Sequence, residues 1–170
     1  ALPVRAGMST LLRLLSNLIF AVSSVFCAMG AGKFDAVITT SPPPLISISG
    51  WLIAKMKGAK LVYDVRDIWP DVALEMGSFS EGSLFAGVFG WIAAFMYRRA
   101  DRITTVSPGK VGKLRNKLDA DSRDKVLLIS NGYDLRNDLE SRNGDAVERF
   151  GLKDREACVY IGNVGLAQGL

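Results

Sequence analysis

The chain has 170 residues, 49% hydrophobic and 22% charged. That suits one folded domain with room for the start of a second, and excludes a disordered segment. Its net charge of +4, from 21 basic and 17 acidic residues, suits anionic substrates or an anionic membrane surface but is too small to argue for nucleic acid.

Histidine is absent, which excludes a Ser-His-Asp triad, a Cys-His pair and the usual zinc sites. Acid–base chemistry then falls to carboxylates, tyrosine, lysine or the substrate itself, and no metal ligand set is expected. Cys27 and Cys158 each lie in an apolar run, so a reducing compartment fits better than a disulfide framework. No basic start and small-residue cleavage site mark a signal peptide at Ala1. The absence of an initial Met leads us to expect that the true N-terminus lies upstream.

Residues 14–32 carry no charge between Arg13 and Lys33 and read as a helix stopped by Gly30 and Gly32. Its length allows a membrane span, but Ser16, Asn17, Ser23 and Ser24 favour a buried or interface helix, with partial insertion into a membrane face as the sharper alternative. Residues 34–39 read as a buried strand ended by Ser41-Pro42-Pro43-Pro44, since proline stops a strand and suits a first helical turn. A helix is expected over 45–57, a strand over 60–65, and a short turn of helix from Pro70. A glycine-containing loop at 77–83 leads to an apolar helix over 84–97, with Arg98 and Arg99 where its dipole favours cations.

A third strand is expected over 102–106, and Ser107-Pro108 reads as the cap and first position of a helix over 108–118. That helix carries Lys110, Lys113, Arg115 and Lys117. Such a row is ordinarily a solvated face; its natural functional partner is anionic lipid or a diphosphate. A fourth strand follows at 126–129, turned by Asn131-Gly132, then polar connection over 134–143 and a short helix over 145–150 ended by Gly151. A fifth strand over 157–161 leads into a glycine-rich loop from Gly162.

Continuous apolar strands alternating with helices predict an α/β fold, a Rossmann-like parallel sheet with helices on both faces. Right-handed crossovers would place the SPPP, RDIWP, SPG and NGYD loops along one edge, at the strands' C-terminal ends, where such sheets bind ligands.

The segment LVYDVRDIWP, residues 61–70, ends an apolar strand in Asp64, Arg66, Asp67, Trp69 and Pro70. Arg66 is suited to a phosphate or a neighbouring carboxylate, Asp67 to sugar hydroxyls, and Trp69 to stacking on a sugar ring. The competing structural reading is an Arg–Asp pair that holds the loop, with Trp69 packed in the core. Ser107 opens a helix whose free N–H groups suit an anion, although capping alone also explains it. Gly162, Gly165 and Gly169 are not spaced as the dinucleotide fingerprint G-x-G-x-x-G, but such a loop can bring N–H groups to a phosphate.

Five segments together resemble the family 4 glycosyltransferases: DVRDIWP from Asp64, YRRAD from Tyr97, TVSPG from Thr105, NGYD from Asn131 and YIGNVGLAQGL from Tyr160. No single motif is specific, but five in this order are. Within the family the chain looks most like the bacterial branch that builds capsule, colanic acid and O-antigen sugars. The resemblance implies the N-terminal half of a GT-B fold, incomplete: residues 1–150 as the acceptor-side Rossmann-like domain without its first strand, and residues 151–170 as the start of a nucleotide-sugar domain.

It further implies a retaining, metal-independent transfer of a sugar from a nucleotide-sugar, which is a co-substrate rather than a cofactor. The acceptor is expected to be a polyprenyl-diphosphate-linked or polysaccharide glycan. The expected location is cytoplasmic and peripheral, on the inner face of the cytoplasmic membrane. The catalytic residues implied are Asp67 and Arg66; substrate-binding residues are Asp64, Trp69, Ser107, Asn131, Gly132, Gly162, Asn163 and Gly165. Many relatives place His-Asp where this chain has Arg66-Asp67, and a permanently protonated guanidinium cannot act as that His, so Asp67 is the safer transfer. The fragment alone is expected to be inactive. Two other readings are a sugar-nucleotide 2-epimerase of the same fold and a non-enzymatic membrane-associated binding domain.

Overall fold

The computed structural model describes residues 9–77, 80, 82–132, 148–153, 156, 158, 160 and 162. The chain forms two compact units, Ala1–Ser130 and Asn131–Leu170.

In the first unit, helix α1 (Thr10–Gly30) precedes strand β1 (Ala36–Ser41), and α2 (Pro44–Lys57) leads to β2 (Lys60–Val65). Helices α3 (Asp71–Glu75) and α4 (Leu84–Arg99) lead to β3 (Arg102–Thr105). Helix α5 (Pro108–Asn116) and a 3₁₀ helix (Ala120–Lys125) lead to β4 (Val126–Leu128). The strands are parallel and lie side by side in chain order. This is the expected α/β, Rossmann-like sheet.

Local chemistry sets the helix ends. Ser9 accepts the Leu12 N–H and Ser83 the Ala86 N–H through their side chains, capping α1 and α4. Proline opens α2 and α5, and Gly58, at φ 67°, closes α2 by donating to Ala54 and Lys55 carbonyls. Ser107 departs from expectation: it stands at the N-cap of α5, but its hydroxyl makes no capping bond. Its carbonyl accepts the Lys110 and Val111 N–H groups instead.

Strand β1 starts two residues later and ends two later than its apolar run suggests. Pairing with β2 decides this, because the register runs from Ala36 opposite Lys60 to Ser41 opposite Val65. Pro42, with no N–H, stops it. The 3₁₀ helix was not expected, since its polar sequence ADSRDK carries no apolar period.

The core lies on one side of the sheet. Leu61, Tyr63, Val65, Ile103 and Val126 pack against Ala54 of α2, Phe89, Ile92, Met96 and Tyr97 of α4, and Leu114 of α5. A sequential strand order with right-handed crossovers puts all three connecting helices on the same face. The alternate residues face the other way, and Ile38 is 72% exposed there, so the cover expected on the second face is not seen among the described residues.

Register brings Ser41, Val65, Thr105 and Leu128 into one row at the strands' C-terminal ends. The SPPP, RDIWP and SPG loops therefore leave from one edge, as expected. Asp101 fixes the opposite edge: its carboxylate accepts the Leu61 N–H at 2.9 Å and the Lys60 ammonium at 3.0 Å. The Leu61 N–H, with help from Lys60, holds its pKa below the usual carboxylate value.

In the second unit, Glu148 and Arg149 are helical, and Gly151, at φ 61°, donates to the Glu148 carbonyl. The expected short helix thus ends where proposed, with residues 145–147 outside the described residues. Of the expected fifth strand only Cys158 and Tyr160 are described, and neither is in a strand.

Two outcomes follow for stability. A Cβ at Gly50 of α2 would meet Thr39 Cβ at 2.5 Å. Gly50→Ala should therefore destabilise by about 1–3 kcal/mol in urea unfolding, despite alanine's better helix propensity. Because the folded pKa of Asp101 is depressed, its contribution is complete above the unfolded carboxylate pKa and is lost as pH falls through the folded value. Asp101→Asn should flatten the acid limb of a stability-versus-pH curve.

Candidate functional site

The site grows from the end of β2. Asp64 faces the uncovered side of the sheet, and its carboxylate accepts Thr104 Oγ1 of β3 at 2.8 Å, Arg66 Nε at 2.8 Å and Thr40 Oγ1 of β1 at 3.4 Å. Its side chain is only 17% exposed. One carboxylate thus joins two neighbouring strands to the loop that follows its own. Arg66 holds that loop through an ion pair with Asp64, as the structural reading of the motif supposed.

The next residues run across α5. Lys110 donates to the Arg66 carbonyl and, at 3.1 Å, to Asp67 Oδ1. Lys117 pairs with Asp71 at 2.8 Å, and Lys113 lies 3.8 Å from Glu75. Acids at 67, 71 and 75 share one side of the loop and α3, at helical spacing. Lysines at 110, 113 and 117 share one side of α5. The basic row that suggested lipid or diphosphate is therefore turned onto this acidic row. Asp67 remains 43% exposed, so it keeps acceptor capacity toward solvent.

Trp69 packs edge-on against Phe89, with ring centroids 5.6 Å apart, and Pro70 lies 3.9 Å from where a Cβ of Gly90 would stand. Trp69, Pro70, Gly90, Ala93, Ala94, Tyr97 and Lys117 line a recess of about 250 Å³. Burial, then the neighbouring Tyr63 and Asp71, push the Tyr97 phenol well above its ordinary value, so it remains a neutral hydroxyl. Tyr63 is raised too, chiefly by burial, with hydrogen bonds to Ser41 of the SPPP segment and Ser47 of α2 opposing the rise.

Asp64, Arg66, Asp67 and Trp69 thus stand together, with Ser107 on the adjacent loop leading into α5. Asn131, Gly132 and Gly162 belong to the second unit. A Cβ on Gly162 would lie 2.8 Å from the Tyr160 hydroxyl, the tip of an exposed side chain. Asn163 and Gly165 lie outside the described residues. Lys110, Tyr97 and Tyr63 enter the neighbourhood without having been singled out as site residues. The matching 3–4-residue spacings of the acids at 67–75 and the lysines at 110–117 were the available signal.

Residues 1–132 match the family described as Glycosyl transferase 4-like domain. The chain is also similar to WcaI of Escherichia coli (strain K12), whose name describes a colanic acid biosynthesis glycosyl transferase. Identity is 28% over 172 aligned residues, covering 95% of this chain and 41% of that protein. The chain thus spans about two-fifths of the length of the curated relative it matches.

The geometry separates the two aspartates. Asp64→Ala takes the carboxylate acceptor from the buried Thr104 hydroxyl and breaks the Arg66 ion pair, and should cost about 1–3 kcal/mol in urea unfolding. Asp67→Asn, which weakens one part-exposed ion pair, should cost less than about 1 kcal/mol.

Proposed function

The chain belongs to the glycosyl transferase 4-like family, and on that premise we propose that the whole protein moves a sugar from a nucleotide-sugar to a polyprenyl-diphosphate-linked or polysaccharide acceptor in bacterial surface glycan synthesis. The reading takes residues 1–150 as the acceptor side of a GT-B enzyme and 151–170 as the beginning of its donor side. The similarity to WcaI supports the surface-glycan branch.

The observation that carries the reading is Asp67, a half-exposed carboxylate at the C-terminal edge of a parallel sheet. Asp64 and Lys110 fix the loop beneath it while leaving the carboxylate open to solvent. That is the arrangement an acceptor hydroxyl needs for orientation. Trp69 offers the apolar wall beside it, and Ser107, whose hydroxyl makes no capping bond, a polar group on the adjacent loop. Arg66, engaged by Asp64, acts by shaping the loop rather than by proton transfer.

Cleaving a sugar–diphosphate bond develops anionic charge on the leaving group and positive charge on the sugar. N–H groups around Gly162, Asn163 and Gly165 are proposed to meet the first. In this scheme the departing diphosphate takes the acceptor proton, which suits a chain without histidine and requires no metal. The configuration at the anomeric carbon is retained.

The test is transfer of radiolabelled sugar from a panel of nucleotide-sugars by the full-length protein. Asp67→Asn should lower the rate about 100-fold, the scale of a lost positioning contact, with the unfolding midpoint moved by no more than one part-exposed ion pair accounts for. Transfer at the wild-type rate would remove Asp67 from the site.

A further inference from the structure

Helix α1 is built inside out for a helix in water. Its buried residues are Ser16 and Ala21, whereas Leu11, Leu15, Leu18, Phe20 and Phe26 are exposed, Phe26 by 74%. An amphipathic helix packed in water turns its large apolar side chains inward. Here Leu14 is the large α1 side chain that packs against the core, and the contact with α2 includes a hydroxyl pair, Ser24 Oγ 3.3 Å from Ser49 Oγ. At its far end Lys57 donates to the Met29 and Ala31 carbonyls. Helices meet through such small residues where the surroundings are already apolar.

Helix α4 continues the same surface. Leu84, Phe85 and Val88 are exposed, and so is Trp91, by 61%. A groove of about 350 Å³ runs between α1 and the first turns of α4, with Leu45 of α2 at its side, and every lining side chain is apolar. Phe89 lines this groove and also packs on Trp69, so the groove adjoins the RDIWP loop.

The charges say what covers this surface. Helices α1, α2 and α4 carry Arg13, Lys55, Lys57, Arg98 and Arg99, and no acidic residue. Trp51, Phe95 and Trp91 form a chain of ring contacts 4.9 and 5.6 Å apart. Lys55 stands 5.3 Å above Trp51, and Arg99 5.5 Å above Phe95. Amphipathic rings with cations beside them mark the boundary between lipid headgroups and acyl chains. The lysines of α5, by contrast, face Asp67, Asp71 and Glu75.

We propose that the outward face of α1 and α4 lies in the headgroup–acyl boundary of an anionic phospholipid bilayer. Large apolar side chains enter the acyl region, and the cations of α2 and α4 meet phosphate headgroups. Helix α1 lies along the surface rather than across it, because one side of it stays packed on α2. The surface holds the RDIWP loop beside the bilayer, within reach of a lipid-borne acceptor.

The test is flotation of the full-length protein with vesicles of phosphatidylethanolamine and phosphatidylglycerol, set against phosphatidylcholine alone. Wild type should float with the anionic vesicles and be released by alkaline carbonate. Phe26→Glu with Trp91→Glu should lower the bound fraction about tenfold or more, with the circular dichroism and unfolding midpoint unchanged. Lys55→Gln with Arg99→Gln leaves the apolar surface whole and should reduce the preference for anionic vesicles severalfold. Wild type left at the bottom of the gradient, or Glu variants that float like wild type, would overturn the proposal. Resistance to carbonate would indicate a spanning helix, and a dimer dissolved by the Glu variants without flotation would indicate a second copy; either overturns it. Vesicle binding needs no sugar donor, so its failure would leave the proposed transfer reaction untouched.

Discussion

The bonds around Asp64 are the constraint on which the rest of the site depends. A parallel sheet delivers strand ends to one edge, but it does not dictate how the chain turns once it leaves the ladder. Here a largely buried carboxylate accepts from Thr104 on one neighbouring strand and Thr40 on the other. It also draws Arg66 back toward the strand it has just left. A buried carboxylate is tolerable only when so satisfied, and the same bonds that satisfy it define the loop. Asp67 and Trp69 then have little choice of direction: one reaches Lys110 and solvent, the other the Phe89 ring.

From that loop outward, charge and apolar surface are kept on separate elements. The acids of the loop and α3 meet the lysines of α5, so the most basic helix in the sequence is largely neutralised by its neighbour. Lys55 and Arg99 have aromatic rings for neighbours, and Lys57 backbone carbonyls. Individually, such part-exposed ion pairs contribute little to stability, roughly 0–1 kcal/mol each. Their effect is positional, since together they hold α5 against the segment that carries the candidate carboxylate.

Much of this was legible in the residues. Strand β2 and helices α2 and α4 follow from apolar runs bounded by glycine, proline and serine, because those signals are local. The register of β1 was not, because its ends are set by a partner strand rather than by its own composition. Neither was the role of Ser107, whose hydroxyl was expected to cap α5 and does not, nor the one-sided cover of the sheet, which depends on strand order. At the site the sequence offered both a ligand role and an Arg–Asp clasp for RDIWP, and the clasp is present. The pairing of 67, 71 and 75 with 110, 113 and 117 joins segments about 40 residues apart, and helical spacing hints at it only once α3 and α5 are known to face each other. For α1 the sequence left burial and membrane contact open; the packed structure distinguishes them by which of its side chains are turned inward.

The central claim is that the Asp67–Trp69 edge receives the acceptor of a sugar-transfer reaction. A crystal structure of the full-length protein with a nucleoside diphosphate and an acceptor glycan tests it most directly. The account predicts an acceptor hydroxyl within hydrogen-bond distance of the Asp67 carboxylate, with the glycan beside Trp69. Acceptor bound at a different edge, with Asp67 facing only Lys110 and water, would contradict it.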